Sequence, residues 1–397
     1  MATHHSVCRA TNANRGPAHR ERRVAFGRPK SRGDASTAFR AILPWVLIRF
    51  VLRTRLPAAF GAAMLLPLAA AADVSGSVRV STGVGFDSNV RRDYDQIPGG
   101  TQADAFAFAS GWGHLQFNGE KGRGWGEYEI GLRKFLQSTS EDVVVQSFAA
   151  QGLLPLGQLF GLGLDVRGKD RRGADRDYTD LAAFAFVELV PSGSFDLRAE
   201  AGAQRFIYRP IFEYSFKATD FSAQARYRFD RHHSIALLGE LGLRFYNGDA
   251  RPAPSVEANT FPQRQDTAFL AGLSYSYRGP LALTLSYAYG GAVSNSFGET
   301  VYRHRLAASA GIRLPWELTL LAQGAVQLSH YPDGANTPPE LILLEDDNQD
   351  SVALKLLRPL SSHLDAELRF ALYHANLPQN GLTYLRQVAW IGITWRL

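Results

Sequence analysis

The sequence predicts an all-β chain, folded as a transmembrane up-and-down antiparallel β-barrel of about 16 strands. Three observations predict it. After Asp73, apolar residues recur with a period of two in segments of about 9–12 residues. No run of 18 apolar residues occurs there and no long window repeats at i, i+3, i+4, i+7, so a helical span is excluded. The segments are joined alternately by short turns and by long polar loops. Transmembrane barrels sort their connections in this way, with short periplasmic turns and longer external loops.

The first element is an address. The chain has 397 residues, 43 of them Lys or Arg and 37 Asp or Glu, for a formal charge of +6. Residues 1–55 hold twelve of the bases and only Glu21 and Asp34 as acids, and 56–72 carry no charge, so the remainder is net −4. The basic character therefore belongs to the leader and gives no reason to expect a nucleic-acid partner. Residues 53–72 pass from Arg53-Thr54-Arg55 through a short apolar stretch to a run of alanines before Asp73. This is the pattern of a secretory signal peptide cleaved after Ala72. The alternative is a membrane anchor, but 17 uncharged residues containing Pro57 and Pro67 are few against the roughly 20 a helical span needs. Residues 1–50 are Arg-rich and aperiodic; either translation starts near Val51 or Leu52, or the basic region is unusually long. The expected organisation is an extension and cleaved signal peptide over 1–72 and a barrel over 73–397. The single cysteine, Cys8, lies in the leader, so disulfides, Cys-ligated zinc and Cys nucleophiles are excluded from the body.

The strands centre near residues 80, 111, 130, 147, 163, 184, 201, 225, 240, 272, 286, 308, 323, 355, 369 and 390. Residues 195–204 set Phe195, Leu197, Ala199, Ala201 and Ala203 against Asp196, Arg198, Glu200, Gly202 and Gln204. Residues 234–245, 281–289 and 364–372 alternate in the same way, whereas 143–150 and strands two and six alternate poorly. A soluble sandwich would give the same alternation but has no reason to sort its connections. The short set is 118–124, 155–158, 191–194, 230–233, 278–280, 315–317 and 358–363; the long set includes 87–103, 169–177, 247–266, 332–349 and 375–383. Tyr275, Tyr277, Tyr287 and Tyr289 on expected lipid faces, with Trp316 and Trp395 nearer the short-turn rim, suit interface girdles.

The last segment places Ile391, Ile393, Trp395 and Leu397 on one face. It resembles the C-terminal signature of bacterial outer-membrane proteins, although Leu397 stands where the usual final residue is Phe. That resemblance implies localisation to the bacterial outer membrane, recognition by the barrel-assembly machinery, and contact with outer-membrane lipid and lipopolysaccharide. The first segment carries Gly83-Val84-Gly85-Phe86-Asp87-Ser88-Asn89-Val90. It resembles a Gly-Tyr-Asp-Ser-Asn-Val stretch of outer-membrane barrels, some of which sit beside polysaccharide or lipoprotein export systems. Periplasmic components of an export system are the partners this implies. The other reading is a strand end entering a polar loop.

Catalytic signatures are missing. No Gly-x-Ser-x-Gly elbow, His-Glu-x-x-His helix or phosphate-binding loop occurs, and Gly83-x-Gly85 lacks a third glycine. His304 falls on an expected lipid face while Ser309 points the other way, which disfavours a lipid-modifying enzyme. No cofactor and no metal is expected. Instead the strand registers assign a charged inner wall: Arg79, Glu127, Glu129, Arg133, Arg167, Arg198, Glu200, Arg226, Arg228, Glu240, Arg244, Arg303, Arg305, Glu367, Arg369 and Arg386. Each basic residue would cost roughly 2–4 kcal/mol at the lipid midplane, so such charges need water or one another. Phe106, Phe108, Trp112, Phe184 and Phe186 add aromatic candidates for the same wall. Sixteen strands enclose a bore too wide for side chains to fill. The expected function is a porin-like channel for hydrophilic solutes, with exported polysaccharide favoured by the wide bore, a loop at 169–177 too short to fold in as a constriction, and the first-strand resemblance. The alternatives are a structural or interaction barrel closed by its loops, residues 247–266 or 332–349 being the expected plug, and a lipid-modifying barrel enzyme.

Overall fold

The computed structural model describes residues 72–94, 101–119, 122–173, 176–254, 261–336, 338, 341, 350–377 and 382–397. Residues 1–71, and 337, 339–340 and 342–349 of the longest polar connection, lie outside them.

Lipid offers no hydrogen bonds, so a sheet that crosses it must satisfy every backbone group internally and can leave no edge. The chain does this with sixteen strands: β1 (Ala72–Asp87), β2 (Asp104–Gly119), β3 (Gly122–Phe135), β4 (Val143–Leu156), β5 (Phe160–Arg172), β6 (Tyr178–Ser192), β7 (Phe195–Tyr208), β8 (Phe216–Arg228), β9 (His233–Asp249), β10 (Gln263–Arg278), β11 (Leu281–Ser294), β12 (Val301–Arg313), β13 (Thr319–His330), β14 (Asp350–Pro359), β15 (Leu364–Leu377) and β16 (Leu382–Arg396). Each pairs antiparallel with its sequence neighbours, and β1 closes on β16. Among the described residues no helix is long and apolar enough to cross a membrane.

One face of this cylinder is apolar from strand to strand. Leu164, Phe221, Leu241, Leu273, Leu285, Leu306, Val326, Leu354, Leu368, Ile391 and Ile393 all stand exposed on it. Hydrophobic side chains left exposed in a continuous band around a closed sheet mark the surface that meets acyl chains. Tyr275, Tyr277, Tyr287, Tyr289 and Trp395 share that face. In β4 the ambiguity resolves through a hydrogen bond on the outer face: the Tyr128 hydroxyl and the Gln146 side chain meet at 2.6 Å, so Val143, Val145, Ser147 and Ala149 point inward.

The connections at one rim are residues 120–121, 157–159, 193–194, 229–232, 279–280, 314–318 and 360–363; those at the other run up to residues 331–349. The strands are longer than their alternation suggests. Residues 169–172, 247–249, 263–266, 375–377 and 382–383, expected in loops, extend β5, β9, β10, β15 and β16. Above the membrane both faces meet water, so alternation fades while the backbone ladder continues. The last long connection thereby shrinks to residues 378–381, outside the described set.

The inner wall is kept smooth by pairing rings with glycines on neighbouring strands, the arrangement by which an aromatic side chain covers an exposed glycine backbone. A Cβ at Gly163 would lie 2.2 Å from the Phe186 ring and 2.5 Å from the Gly152 carbonyl oxygen. One at Gly202 would lie 2.5 Å from Phe184, and one at Gly83 2.6 Å from Phe108. Gly163→Val is therefore expected to destabilise the barrel by about 1–3 kcal/mol. The outward Gly152, which has open space around it, should accept Val with little change. The temperature at which the compact electrophoretic band converts to the unfolded one would check both.

Candidate functional site

The register settles which side chains share the inner wall. All sixteen charged residues expected there, from Arg79 on β1 to Arg386 on β16, fall on the face opposite the apolar belt. Phe106, Phe108, Trp112, Phe184 and Phe186 do too. Sequence reasoning missed Arg123, Lys169, Arg171, Asp220, Arg264 and Asp266 on the same face, because they sit near strand ends or in strands whose alternation is weak.

These charges form arrays. On β5–β8, Arg167 pairs with Asp165 at 2.5 Å, and Arg198 pairs with Asp165 at 3.6 Å and with Glu200 at 2.8 Å. Ser222 donates to Glu200 at 2.9 Å, and the Arg198 guanidinium lies 3.8 Å above the Phe186 ring. Charges that bridge several strands in this way fix one another at the wall and hold a transverse field. On the opposite side Lys355 pairs with Glu367, which also accepts from Thr394. Between these arrays Trp112, His114 and Trp125 line up along β2 and β3, with adjacent ring centroids 5.6 and 6.1 Å apart, and Arg79 lies 3.8 Å above Trp112. Glu129 and Glu127 are the register partners of Trp112 and His114.

The long-loop end is built differently: its side chains are packed. One buried cluster gathers Val90 and Tyr94 from the first loop, Phe106, Phe135, Tyr373, Tyr384 and Val388 from the wall, Ala292 and Val301 from β11 and β12, and Tyr331 after β13. A second gathers Tyr178, Phe206, Tyr208, Phe216 and Tyr246 on β6–β9 with Tyr214 from the β7–β8 connection and Leu341. The loop after β13 thus contributes Tyr331 to one cluster and Leu341 to the other. Of residues 332–349, expected with 247–266 as a plug, Leu341 packs into the second cluster, while 337, 339–340 and 342–349 lie outside the described residues.

A polar knot ties three more loops together. Glu299, between β11 and β12, pairs with Arg264 at 3.2 Å and Arg251 at 3.8 Å and accepts from the Tyr214 hydroxyl at 3.1 Å. Burial, with Glu299 beside it, pushes the Tyr214 phenol up to about 12, so it remains a donor at neutral pH. Arg176 is held at the mouth by the Arg91 carbonyl and Glu141, and burial together with Arg92 and Arg171 lowers it to about 10.

The first-strand motif closes the barrel. Asp87 and Arg386 form a buried ion pair across β1 and β16, with Arg386 Nη2 2.6 Å and Nε 3.0 Å from Asp87 Oδ2. Asn89 donates its amide N–H to Asp87 at 3.1 Å and its side-chain amide to the carbonyls of Asp93 and Leu385 at 2.8 and 3.3 Å. The Ser88 hydroxyl accepts the Gln387 N–H at 2.8 Å, and Val90 is buried in the mouth cluster. All four residues from Asp87 to Val90 serve the seam or the turn of the first loop into the bore.

Among the described residues no group of three or more His, Cys, Asp or Glu side chains converges as a metal site requires. His304 bonds the Tyr287 hydroxyl on the outer face, and Ser309 lies on the opposite face.

No family model and no curated protein matches the chain. Solved structures resemble it in fold. A bacterial polysaccharide outer membrane secretin is 9% identical with a TM-score of 0.42, covering 81% of this chain and 98% of its own. OccAB1 of Acinetobacter baumannii is 9% identical at 0.44, covering 82% and 97%, and OmpT of Vibrio cholerae is 9% identical at 0.43, covering 82% and 98%. At these values the likeness carries no functional weight. The closed sheet, its apolar outer belt and its sorted connections make the chain a bacterial outer-membrane β-barrel.

Proposed function

We propose that the barrel is a channel for hydrophilic solutes whose external mouth is narrowed by its own inward-folded loops. The observation that carries this reading is the contrast between the two faces of one sheet: apolar side chains outside, and arrays of Arg, Lys, Asp and Glu inside. A charged inner wall needs water, and transverse arrays of both signs select solutes by charge and orientation. Within that reading a carbohydrate polymer is the solute class the wall suits, because flat rings beside paired carboxylates and guanidinium groups complement the apolar faces and hydroxyls of sugars. Assembly by the barrel-assembly machinery through the Ile391, Ile393, Trp395 and Leu397 face, and coupling to periplasmic export components, belong to the same proposal.

The packed mouth favours a second reading, a structural barrel closed to solutes. Current across planar bilayers separates the two. Discrete conductance steps from the purified barrel are expected, and silence at all voltages would reject the channel. Arg226→Glu with Arg228→Glu should shift the reversal potential in a salt gradient toward cation selectivity, since both side chains lie on the inner face.

A further inference from the structure

Among the described strand residues, cations on the outer face are few, and four of the five lie in the sector from β3 to β8. Among the described strand residues, the outward positions carry Lys or Arg only at Lys134 on β3, Arg172 on β5, Arg205 on β7, Lys217 on β8 and Arg358 on β14. The first four lie at the long-loop end of β3, β5, β7 and β8, of which β7 and β8 are neighbours; Arg358 lies at the other rim. Arg205 and Lys217 are direct register partners. Like charges placed opposite each other on a sheet repel, and here the row continues into Leu181 on one side and Phe245 on the other, so neither flank supplies an anion. One turn of the ladder further out, Asp170 is buried beneath two more guanidinium groups: Arg172 Nε lies 2.8 Å and Arg209 Nη2 3.4 Å from it, and Arg209 also bonds Thr179 at 2.5 Å. Arg209 Nη1 is buried without a hydrogen-bond partner.

We propose that this sector, Arg205 and Lys217 with Arg172 and Arg209 above them, binds the phosphate groups of a phosphorylated glycolipid in the outer leaflet. Leu181 and Phe245 mark the depth at which acyl chains begin, so the four cations stand where headgroup phosphates lie. A phosphate between Arg205 and Lys217 removes their repulsion, and Asp170 holds Arg172 and Arg209 in place rather than neutralising both. The inference is independent of whether the bore conducts.

The test is native mass spectrometry of the detergent-solubilised barrel titrated with bis-phosphorylated lipid A and with its dephosphorylated form. The unaltered barrel should prefer the phosphorylated lipid. Arg205→Gln with Lys217→Gln should weaken its binding roughly twenty- to thirtyfold, as two cations near a charged surface contribute about a kcal/mol each. Arg358→Gln, at the opposite rim, should leave it unchanged. Equal affinity of the unaltered barrel for both lipids overturns the proposal, as does undiminished binding by a folded double variant. If the double variant fails to give the compact electrophoretic band, the comparison of the two lipids on the unaltered barrel decides alone.

Discussion

Asp87→Ala should lower the stability of the barrel by about 3–5 kcal/mol, the cost of leaving a buried guanidinium without its counter-charge. Arg386 and Asp87 are both nearly inaccessible to solvent, and the pair bridges the first and last strands. Arg133, 3.7 Å away, is partly exposed and can turn to water, whereas Arg386 cannot. The effect should appear as a large fall in the temperature at which the compact electrophoretic band is lost, and as a smaller folded fraction on refolding into vesicles. Asp87→Ala combined with Arg386→Met should recover most of the loss, because it removes the stranded charge along with its partner. If the double variant were as unstable as the single one, the pair would not be the source of the effect.

Opening the mouth should produce the other large effect. Tyr94 and Tyr331 are buried in the cluster that joins the first loop to β11, β12, β15 and β16, and Tyr94 packs edge-on against Tyr384 at 6.4 Å. Tyr94→Ala with Tyr331→Ala removes the two loop-borne rings and leaves the wall rings in place. Single-channel conductance is expected to rise severalfold, with the compact band retained, since the sheet keeps all its backbone pairing. The conductance of single molecules in planar bilayers measures it. An unchanged step size would show that the narrowest point lies elsewhere, along the charged arrays.

The strands and their faces were legible because one physical condition, contact with lipid, acts on every second residue for the whole membrane thickness. That is why the inner charges at Arg198, Glu200, Arg226 and Arg228 could be assigned from spacing alone. Legibility ended where lipid ends. Residues 169–172 and 263–266 are ladder-bonded strand with polar residues on both faces, so they resembled loop. The outward cations Arg172 and Arg205 were hidden for the same reason. The packing of Tyr94 and Leu341 into the mouth was also beyond periodicity, because it depends on chain segments far apart in sequence meeting inside the bore. The register of β4 needed the contact between Tyr128 and Gln146.

The ion pair at the seam has a further consequence for how the cylinder is completed. Its members are separated by 299 positions along the chain, so it forms only when the two ends of the sheet meet. A slip of two residues in that last pairing keeps every side chain on its proper face and costs little in the apolar belt. Asp87 is the register partner of Val388 and Arg386 reaches it diagonally, so a slip that carries Arg386 farther along would isolate Asp87. The seam therefore checks its own alignment in that direction: the lipid side tolerates several registers, and one buried pair of opposite charges rejects those that draw its members apart.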